Sequence, residues 1–427
     1  MPDLETIKRF DLNRAPRKQL PLLMPLIWLM SFPGYWSHKA KIIKTDMEGI
    51  KPPYLLLCNH NAFLDFKIAS VAVFPHRTNN VVAIDGFLKR EWLLRAVGCI
   101  GKRKFTNDVS LIRNLMKVIK NKNIAVVYPE ARYSLCGTNA ILPGSLGKLV
   151  KLLGVDVVTL ITKGHHIDSP FWHLGSRGVQ TEAHMTRLIS KEELGKLTAE
   201  EINGKIERAF FYDDFAWQKQ NGVRIINEDR AEGLHKVLYQ CPHCKAEYQM
   251  DSKGSELICK ACGKVWEMSE LGELKAKDGE TEFTHIPDWY EWEREQVRAE
   301  IEEGRYCFSD KVIVQSLPNT KGYIELGLAE FVHNMDGFTV KGEYDGKPFS
   351  MEKSPQSLYS CHIEYEYLGK FGDCVDLNTL KDTWYCYPQG DRFSVTKIAL
   401  ATEEMYKYYR EKEVCIQPAK RISACNG

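Results

Sequence analysis

Short apolar runs alternate with segments of helical periodicity between residues 50 and 190 of the chain. Apolar runs of four to eight residues indicate buried strands, and apolar residues that recur every three or four positions indicate helices. The pattern predicts strands at residues 54–58, 80–84, 124–128, 155–161 and 184–189, and helices at 64–74, 88–97, 108–120 and 191–219. Alternation of this kind is typical of an α/β fold on a parallel or mixed sheet. We therefore expect an α/β domain over residues 1–220.

The pattern changes after residue 220. A polar linker is expected at residues 221–238, followed by a compact cysteine-containing segment at 239–271. In residues 284–427 a helix at 289–303 precedes strand-like runs up to 393–400, and a helix at 402–410 closes the chain. Asp345-Gly346, between runs at 338–344 and 348–351, favours a tight hairpin turn. This last part is predicted to be a β-rich domain.

A charge-free apolar segment, LPLLMPLIWLMSFPGYW, occupies residues 20–36. A membrane-spanning helix needs about 20 apolar residues, whereas Pro21, Pro25 and Pro33 leave a helix over residues 25–32 at best. Basic residues precede the segment, and its tryptophan and tyrosine rings suit the headgroup region of a bilayer. We predict that the segment lies in the membrane interface; the alternative is a buried segment of the core.

The composition of the chain indicates the class of protein, the charge of its partner and its cellular compartment. With 44% hydrophobic and 27% charged residues, the 427-residue chain is an ordinary globular one. Residues 1–190 hold 27 Lys and Arg against 13 Asp and Glu, and the remainder holds 31 against 43, so the first part is basic and suits an anionic partner. The polar first eleven residues do not form a cleavable signal peptide. The 13 cysteines are therefore expected in a reducing cytosolic compartment.

The first candidate for chemistry follows the predicted strand at 54–58, in the sequence Asn59-His60-Asn61-Ala62-Phe63-Leu64-Asp65. If the strand turns into a helix here, His60 and Asp65 face one another. The carboxylate then fixes the tautomer of the imidazole, whose other nitrogen accepts a proton from a hydroxyl. The alternative is a capped helix start with a surface histidine.

Three further segments strengthen the catalytic interpretation: Gly98-Cys99-Ile100-Gly101-Lys102-Arg103-Lys104, Val127-Tyr128-Pro129-Glu130-Ala131-Arg132-Tyr133-Ser134, and the strand at 155–161. Together with His60 and Asp65, their order and spacing resemble the four sequence blocks of the 1-acyl-sn-glycerol-3-phosphate acyltransferases, the glycerolipid acyltransferase family. The resemblance covers about residues 20–215. It implies an α/β sandwich with an amphipathic N-terminal membrane anchor.

The resemblance also implies roles for particular residues. His60 and Asp65 take the positions of the catalytic pair, and Arg103 that of the arginine which holds the phosphate of the acceptor. A guanidinium suits this role because it binds two phosphate oxygens at once. The alternative is a solvated basic turn.

The third block of the family usually reads Phe-Pro-Glu-Gly-Thr-Arg-Ser, so Glu130 matches and is expected to bind substrate, or else to be a simple strand-end carboxylate. Ala131 replaces the glycine, Arg132 stands one position early as a candidate substrate ligand, and Tyr133 takes the usual arginine position. His165 and His166 lack a spaced carboxylate or cysteine partner in the sequence and are interpreted as ordinary histidines rather than metal ligands.

Two Cys-x-x-Cys pairs stand in the segment 239–271: Cys241 with Cys244, and Cys259 with Cys262. Each pair can direct two sulfurs at one ion, and two pairs complete a tetrahedron. We predict a zinc ribbon with one structural Zn²⁺ rather than two redox pairs, since no thioredoxin-like context surrounds either pair.

These observations lead to one main hypothesis and one alternative. The chain is expected to be an acyltransferase of phospholipid synthesis that moves an acyl group from acyl-CoA or acyl carrier protein to 1-acyl-sn-glycerol-3-phosphate or a similar lysolipid. It would work at the cytoplasmic side of the cell membrane, as a peripheral or monotopic protein. The alternative is a non-catalytic zinc-ribbon protein that binds nucleic acid or protein. The acidic balance after residue 190 argues against nucleic acid as a partner.

Overall fold

A computed structural model describes residues 4–424 of the chain. Its first sheet has seven strands in the order β1-β7-β6-β2-β5-β3-β4. The strands are β1 Lys41–Thr45, β2 Leu55–Cys58, β3 Thr78–Ala83, β4 Ile100–Lys102, β5 Ile124–Val127, β6 Val157–Lys163 and β7 Glu182–Ile189. The neighbours of β2, namely β5 and β6, run parallel to it, and β7 is antiparallel to β6. The predicted mixed α/β architecture is confirmed, and the apolar runs at β2 and β5 are buried on both faces, as in other parallel sheets.

Nine helices accompany this sheet within the described residues. They are α1 Met24–Ser37, α2 Leu64–Ala72, α3 Glu91–Ala96, α4 Val109–Lys120, α5 Leu146–Leu153, α6 His165–Asp168, α7 Lys191–Leu194, α8 Ala199–Ala209 and α9 Asp214–Asn221. The single helix predicted at 191–219 is wrong, because three helices occupy that stretch. Each has its own N-cap, at Ser190, Thr198 and Asp213, whose side chain accepts a hydrogen bond from the first turn.

Helix α1 corrects the prediction for the apolar N-terminal segment. It continues through Pro33 to Ser37, beyond the predicted end at residue 32. A proline removes one hydrogen bond from a helix, and here the ring is exposed, so the carbonyl group that loses its partner lies on the solvent side. Gly34 faces α2 so closely that a Cβ atom would lie 2.9 Å from the side chain of Lys67.

The cysteine segment forms a four-stranded antiparallel sheet. Its strands are β8 Met250–Lys253, β9 Glu256–Cys259, β10 Val265–Met268 and β11 Leu274–Ala276, in the order β11-β10-β9-β8. Trp266 of β10 is fully buried, and its ring meets that of Trp289 at a centroid distance of 5.0 Å. The ribbon is therefore packed into the rest of the protein.

The C-terminal part is β-rich, as expected. After α10 Ile286–Glu302, seven antiparallel strands form one sheet in the order β15-β14-β13-β12-β18-β17-β16, and α11 Val395–Ala424 follows. The strands are β12 Cys307–Ser316, β13 Ile324–Asn334, β14 Gly337–Tyr344, β15 Lys347–Lys353, β16 His362–Glu364, β17 Cys374–Asn378 and β18 Thr383–Pro388. Asp345 and Gly346 both have positive φ between β14 and β15, as the hairpin requires.

The strand predicted at 393–400 is wrong, since those residues begin α11. Val395, Ile398 and Ala399 are buried there, because this part of α11 packs against α10 and against the C-terminal sheet. Apolar runs of this length do not distinguish a strand from a buried helix by pattern alone.

One hydrophobic core unites the parts of the chain. It contains Phe105 and Trp172 from the first part, Trp266 from the ribbon, and Phe331 from the C-terminal sheet. The segment predicted as a linker contributes buried side chains to the same core, namely Ile225, Ala231, Leu234, Val237 and Leu238. The linker at residues 221–238 and the domain boundaries on either side of it stay a prediction.

Candidate active site

The candidate catalytic residues lie at one edge of the first sheet. His60 follows β2, Glu130 follows β5, and His165 follows β6. Because these three neighbouring strands are parallel, their carboxyl ends meet at the same edge. The sequence pattern of three buried strands thus brings residues more than 100 positions apart into one site.

His60 and Asp65 face each other, as the strand-to-helix turn requires. Nδ1 of His60 lies 3.1 Å from Oδ2 of Asp65. The same oxygen accepts hydrogen bonds from the backbone N–H groups of Asn61 at 2.6 Å and Ala62 at 2.9 Å. These bonds fold the turn around the carboxylate, which lies in the first turn of α2.

The Asp65 carboxylate is buried and ionised. Burial alone would raise the pKa of Asp65, but hydrogen bonds from His165 and His60 outweigh burial and hold the pKa well below its usual value. A carboxylate in this position fixes the imidazole of His60 with its proton on Nδ1.

The His60 ring lies between two tyrosines. Its centroid is 4.4 Å from that of Tyr128 and 4.3 Å from that of Tyr133. The side chain of His60 keeps 27% exposure, and Asp65 uses Nδ1. Nε2 is therefore the nitrogen that can accept a proton from a bound hydroxyl.

Glu130 connects two backbone segments of the site. Its two carboxylate oxygens accept hydrogen bonds from the backbone N–H groups of His60 and Ala140, each at 2.7 Å. Burial raises the pKa of Glu130 to about 8, although both N–H groups oppose the shift. With both oxygens used by the backbone, Glu130 acts here as a support for His60. Its predicted role as a substrate ligand stays a prediction.

Ala131 and Arg132 follow in the same loop. Ala131 has φ +57°, a left-handed conformation that favours the glycine of the family pattern. Arg132 is buried, and its guanidinium binds the Glu403 carboxylate at 2.8 Å, so it points away from His60 toward α11. Its predicted contact with substrate has no support in this geometry.

Arg103 binds the C-terminal domain. The side chain is 1% exposed. Its guanidinium donates to Thr383 Oγ1 at 2.7 Å and to three backbone carbonyls, those of Leu317 and Pro318 at 3.0 Å and of Lys381 at 3.2 Å. The guanidinium can reach the phosphate of a substrate only if these loops move away. In this structure it is therefore not accessible for the predicted phosphate binding.

The sequence did not identify His165 as part of the site. Its Nδ1 lies 2.5 Å from Oδ1 of Asp65, and the side chain is fully buried. The feature of the sequence that could have identified His165 is its position two residues after β6, because β6 is the neighbour of the strand that leads to His60. His166 points elsewhere, against Trp172 and Phe215, and burial lowers the pKa of His166 to about 3.

The four predicted metal ligands come together. Cys241, Cys244, Cys259 and Cys262 bring their sulfurs within 4.8 Å of one another. The Sγ atoms of Cys241 and Cys262 are 3.9 Å apart, and those of Cys244 and Cys259 are 3.7 Å apart, too far for disulfides. Four thiolates at this spacing fit a tetrahedral zinc ion, and a closed site of this kind is structural.

No protein-family model matches the chain, and no curated protein matches it in sequence. Among solved structures, the chain is similar to the 1-acyl-sn-glycerophosphate (LPA) acyltransferase PlsC from Thermotoga maritima. That match has a TM-score of 0.33 and 14% identity, and it covers 44% of this chain and 78% of that one. The likeness to an acyltransferase is weak.

Proposed function

We propose that the protein is an O-acyltransferase that uses His60 as its general base. The observation that carries the proposal is the His60–Asp65 pair, with Nδ1 of His60 on a buried carboxylate and part of the ring open to solvent. This is the arrangement that activates a hydroxyl for attack on an acyl group.

The reaction needs only groups already described. Nε2 of His60 takes the proton of the acceptor hydroxyl as its oxygen bonds to the thioester carbonyl carbon. The C–S bond then breaks, and the imidazolium returns the proton to the leaving thiolate. Asp65 supports the positive charge of His60 between these steps. No covalent acyl-enzyme is required, and His60 ends as it began.

The substrates are proposed from the resemblance of the sequence blocks. The donor is acyl-CoA or acyl carrier protein, and the acceptor is 1-acyl-sn-glycerol-3-phosphate or a similar lysolipid, which gives phosphatidate or its analogue. The guanidinium of Arg103 is bound to the C-terminal loops. We therefore do not propose Arg103 as the residue that binds the phosphate of the acceptor.

Contact with the cytoplasmic face of a membrane is part of the proposal. No helix within residues 4–424 is long and apolar enough to cross a bilayer. Helix α1 and the short turn before it nevertheless present exposed apolar side chains, with Leu22 91%, Leu29 71% and Trp36 65% exposed. Phe63, three residues after His60, is 62% exposed. Such side chains suit insertion at headgroup depth, where a lysolipid would be met.

The test uses the purified full-length protein with acyl-CoA and lysophosphatidate in mixed micelles. Release of thiol and formation of diacylated product, followed by mass spectrometry, are expected together. An assay without acceptor separates transfer from hydrolysis of the thioester. Absence of product with lysophosphatidate and a panel of other lysolipids, from both acyl-CoA and acyl carrier protein, would contradict the proposal.

A further inference from the structure

We propose that His165 is a positioning residue, which holds the Asp65 carboxylate in the orientation that serves His60. The inference rests on the proposed function for its kinetic consequence, but its structural basis is independent. The Asp65 carboxylate bridges two imidazoles, with Oδ2 toward His60 at 3.1 Å and Oδ1 toward His165 at 2.5 Å.

The two carboxylate oxygens of Asp65 have different hydrogen-bond partners. Oδ2 has two backbone N–H donors besides His60, whereas Oδ1 has His165 and the Thr162 hydroxyl, which lies 3.2 Å away. The Thr162 hydroxyl also lies 3.0 Å from Oδ1 of Asn59, so its single proton is shared between two acceptors. His165 is therefore the main partner of Oδ1, and together with the two backbone N–H groups on Oδ2 it fixes the rotation of the carboxylate about its Cβ–Cγ bond.

The tautomer of His165 follows from its surroundings. Nδ1 lies at hydrogen-bond distance from an ionised carboxylate and must carry a proton. Nε2 is buried and has no hydrogen-bond partner among the described residues. A buried N–H without an acceptor is costly, so the tautomer with its proton on Nδ1 is favoured over the one with its proton on Nε2. His165 is thus a fixed donor to Asp65.

Local structure leaves His165 little freedom to turn away. Gly164 before it has φ +80°, and a Cβ atom there would lie 2.6 Å from the ring of Trp217. The corner between β6 and α6 is therefore closed by packing. Its geometry directs the fully buried His165 ring at Asp65.

Two substitutions separate positioning from simple burial. His165→Asn keeps an N–H donor near the place of Nδ1, whereas His165→Leu keeps bulk without a donor. His166→Leu is the matched control, because His166 is equally buried at the next position and packs on aromatic rings. In the acyl-transfer assay, His165→Leu is expected to lower kcat about 10- to 100-fold with KM unchanged, by analogy with the loss of partners that orient metal-binding histidines. His165→Asn should recover most of the loss, and His166→Leu should stay near the parent.

A second measurement does not depend on activity. NMR of ring-labelled histidine should show a far-downfield Nδ1 proton of His165 and a slowly exchanging Nδ1 proton of His60. The His60 signal should broaden in His165→Leu and persist in His165→Asn.

The outcomes distinguish the two proposals. Equal kcat values for His165→Leu and His165→Asn, or an unchanged His60 signal in His165→Leu, would overturn the positioning role. A parent protein without acyl transfer but with these NMR changes would overturn the proposed function alone and leave the positioning of Asp65 established.

Discussion

The guanidinium of Arg132 lies 2.8 Å from the carboxylate of Glu403, 271 residues later in the chain. Arg294 of α10 binds the other oxygen of Glu403, also at 2.8 Å. Arg132 stands beside Tyr133, whose ring contacts His60. The C-terminal domain is thus fastened by a buried ionic network to the loop that borders the candidate active site.

Removal of the charge of Glu403 tests how much this ionic network contributes to stability. Glu403→Gln leaves Arg132 and Arg294 buried without their shared partner, and loss of one member of a buried ion pair costs about 3–5 kcal/mol. We expect a decrease of this size in the free energy of unfolding, measured by denaturant titration. Glu411→Gln is the control, since Glu411 is exposed on the same helix. Equal stabilities of the two variants would contradict the network.

The same network predicts a dependence of stability on pH. Burial alone would raise the pKa of Glu403, but Arg132 and Arg294 outweigh it and lower the pKa from 4.5 to about 2. A lowered folded-state pKa contributes stability above the unfolded value, and this stability is lost as the pH falls through the folded value. The difference in unfolding free energy between the parent and Glu403→Gln should be constant above about pH 5 and shrink toward pH 2. A constant difference down to pH 3 would exclude this mechanism.

The sequence predicted the local features of the site and missed the long-range ones. The turn from β2 to α2 depends on residues 59–65 and was readable from the sequence. Three of the four partners of Arg103 are the carbonyls of Leu317, Pro318 and Lys381, and backbone acceptors have no signature in side-chain patterns. His165 could be found only once β6 was known to lie beside β2.

The secondary-structure prediction was wrong where packing against another element overrode the local preference of the chain. Pro33 predicted that α1 ends at residue 32, but contact with α2 supports a helix that continues for five more residues, to Ser37. Residues 393–400 have a strand-like composition, and α10 supplies the surface on which they form a helix. In both places the deciding partner is distant in the sequence.

The cysteine cluster predicts one zinc ion per chain. Cys259→Ser removes a buried thiolate ligand, and the remaining three sulfurs cannot complete the tetrahedron. Elemental analysis should find about one zinc in the parent and far less in the variant, and limited proteolysis should cut residues 239–271 first, because structural zinc contributes folding free energy. Cys307→Ser is the control, since Cys307 is exposed and outside the cluster. Full zinc content in Cys259→Ser would refute the site.

The exposed face of α1 predicts binding to vesicles of anionic lipid. Leu29→Glu should weaken binding at least about tenfold, because burial of one leucine contributes about 1.5–3 kcal/mol. Little stability should be lost, since Leu29 is 71% exposed. Ile226→Glu, at a position 74% exposed after α9, is the matched control. Equal vesicle affinities of the two variants would show that α1 is not the membrane-binding surface.

A comparison of three rates tests whether His60 acts as the general base. Acyl transfer from acyl-CoA to lysophosphatidate is measured for the parent, His60→Ala and His76→Ala, an exposed histidine on the surface. General-base catalysis contributes about 100- to 10,000-fold, so His60→Ala should lose at least about 100-fold in kcat while circular dichroism and zinc content stay unchanged. His76→Ala should match the parent. Turnover of His60→Ala within about tenfold of the parent would show that His60 is not the general base.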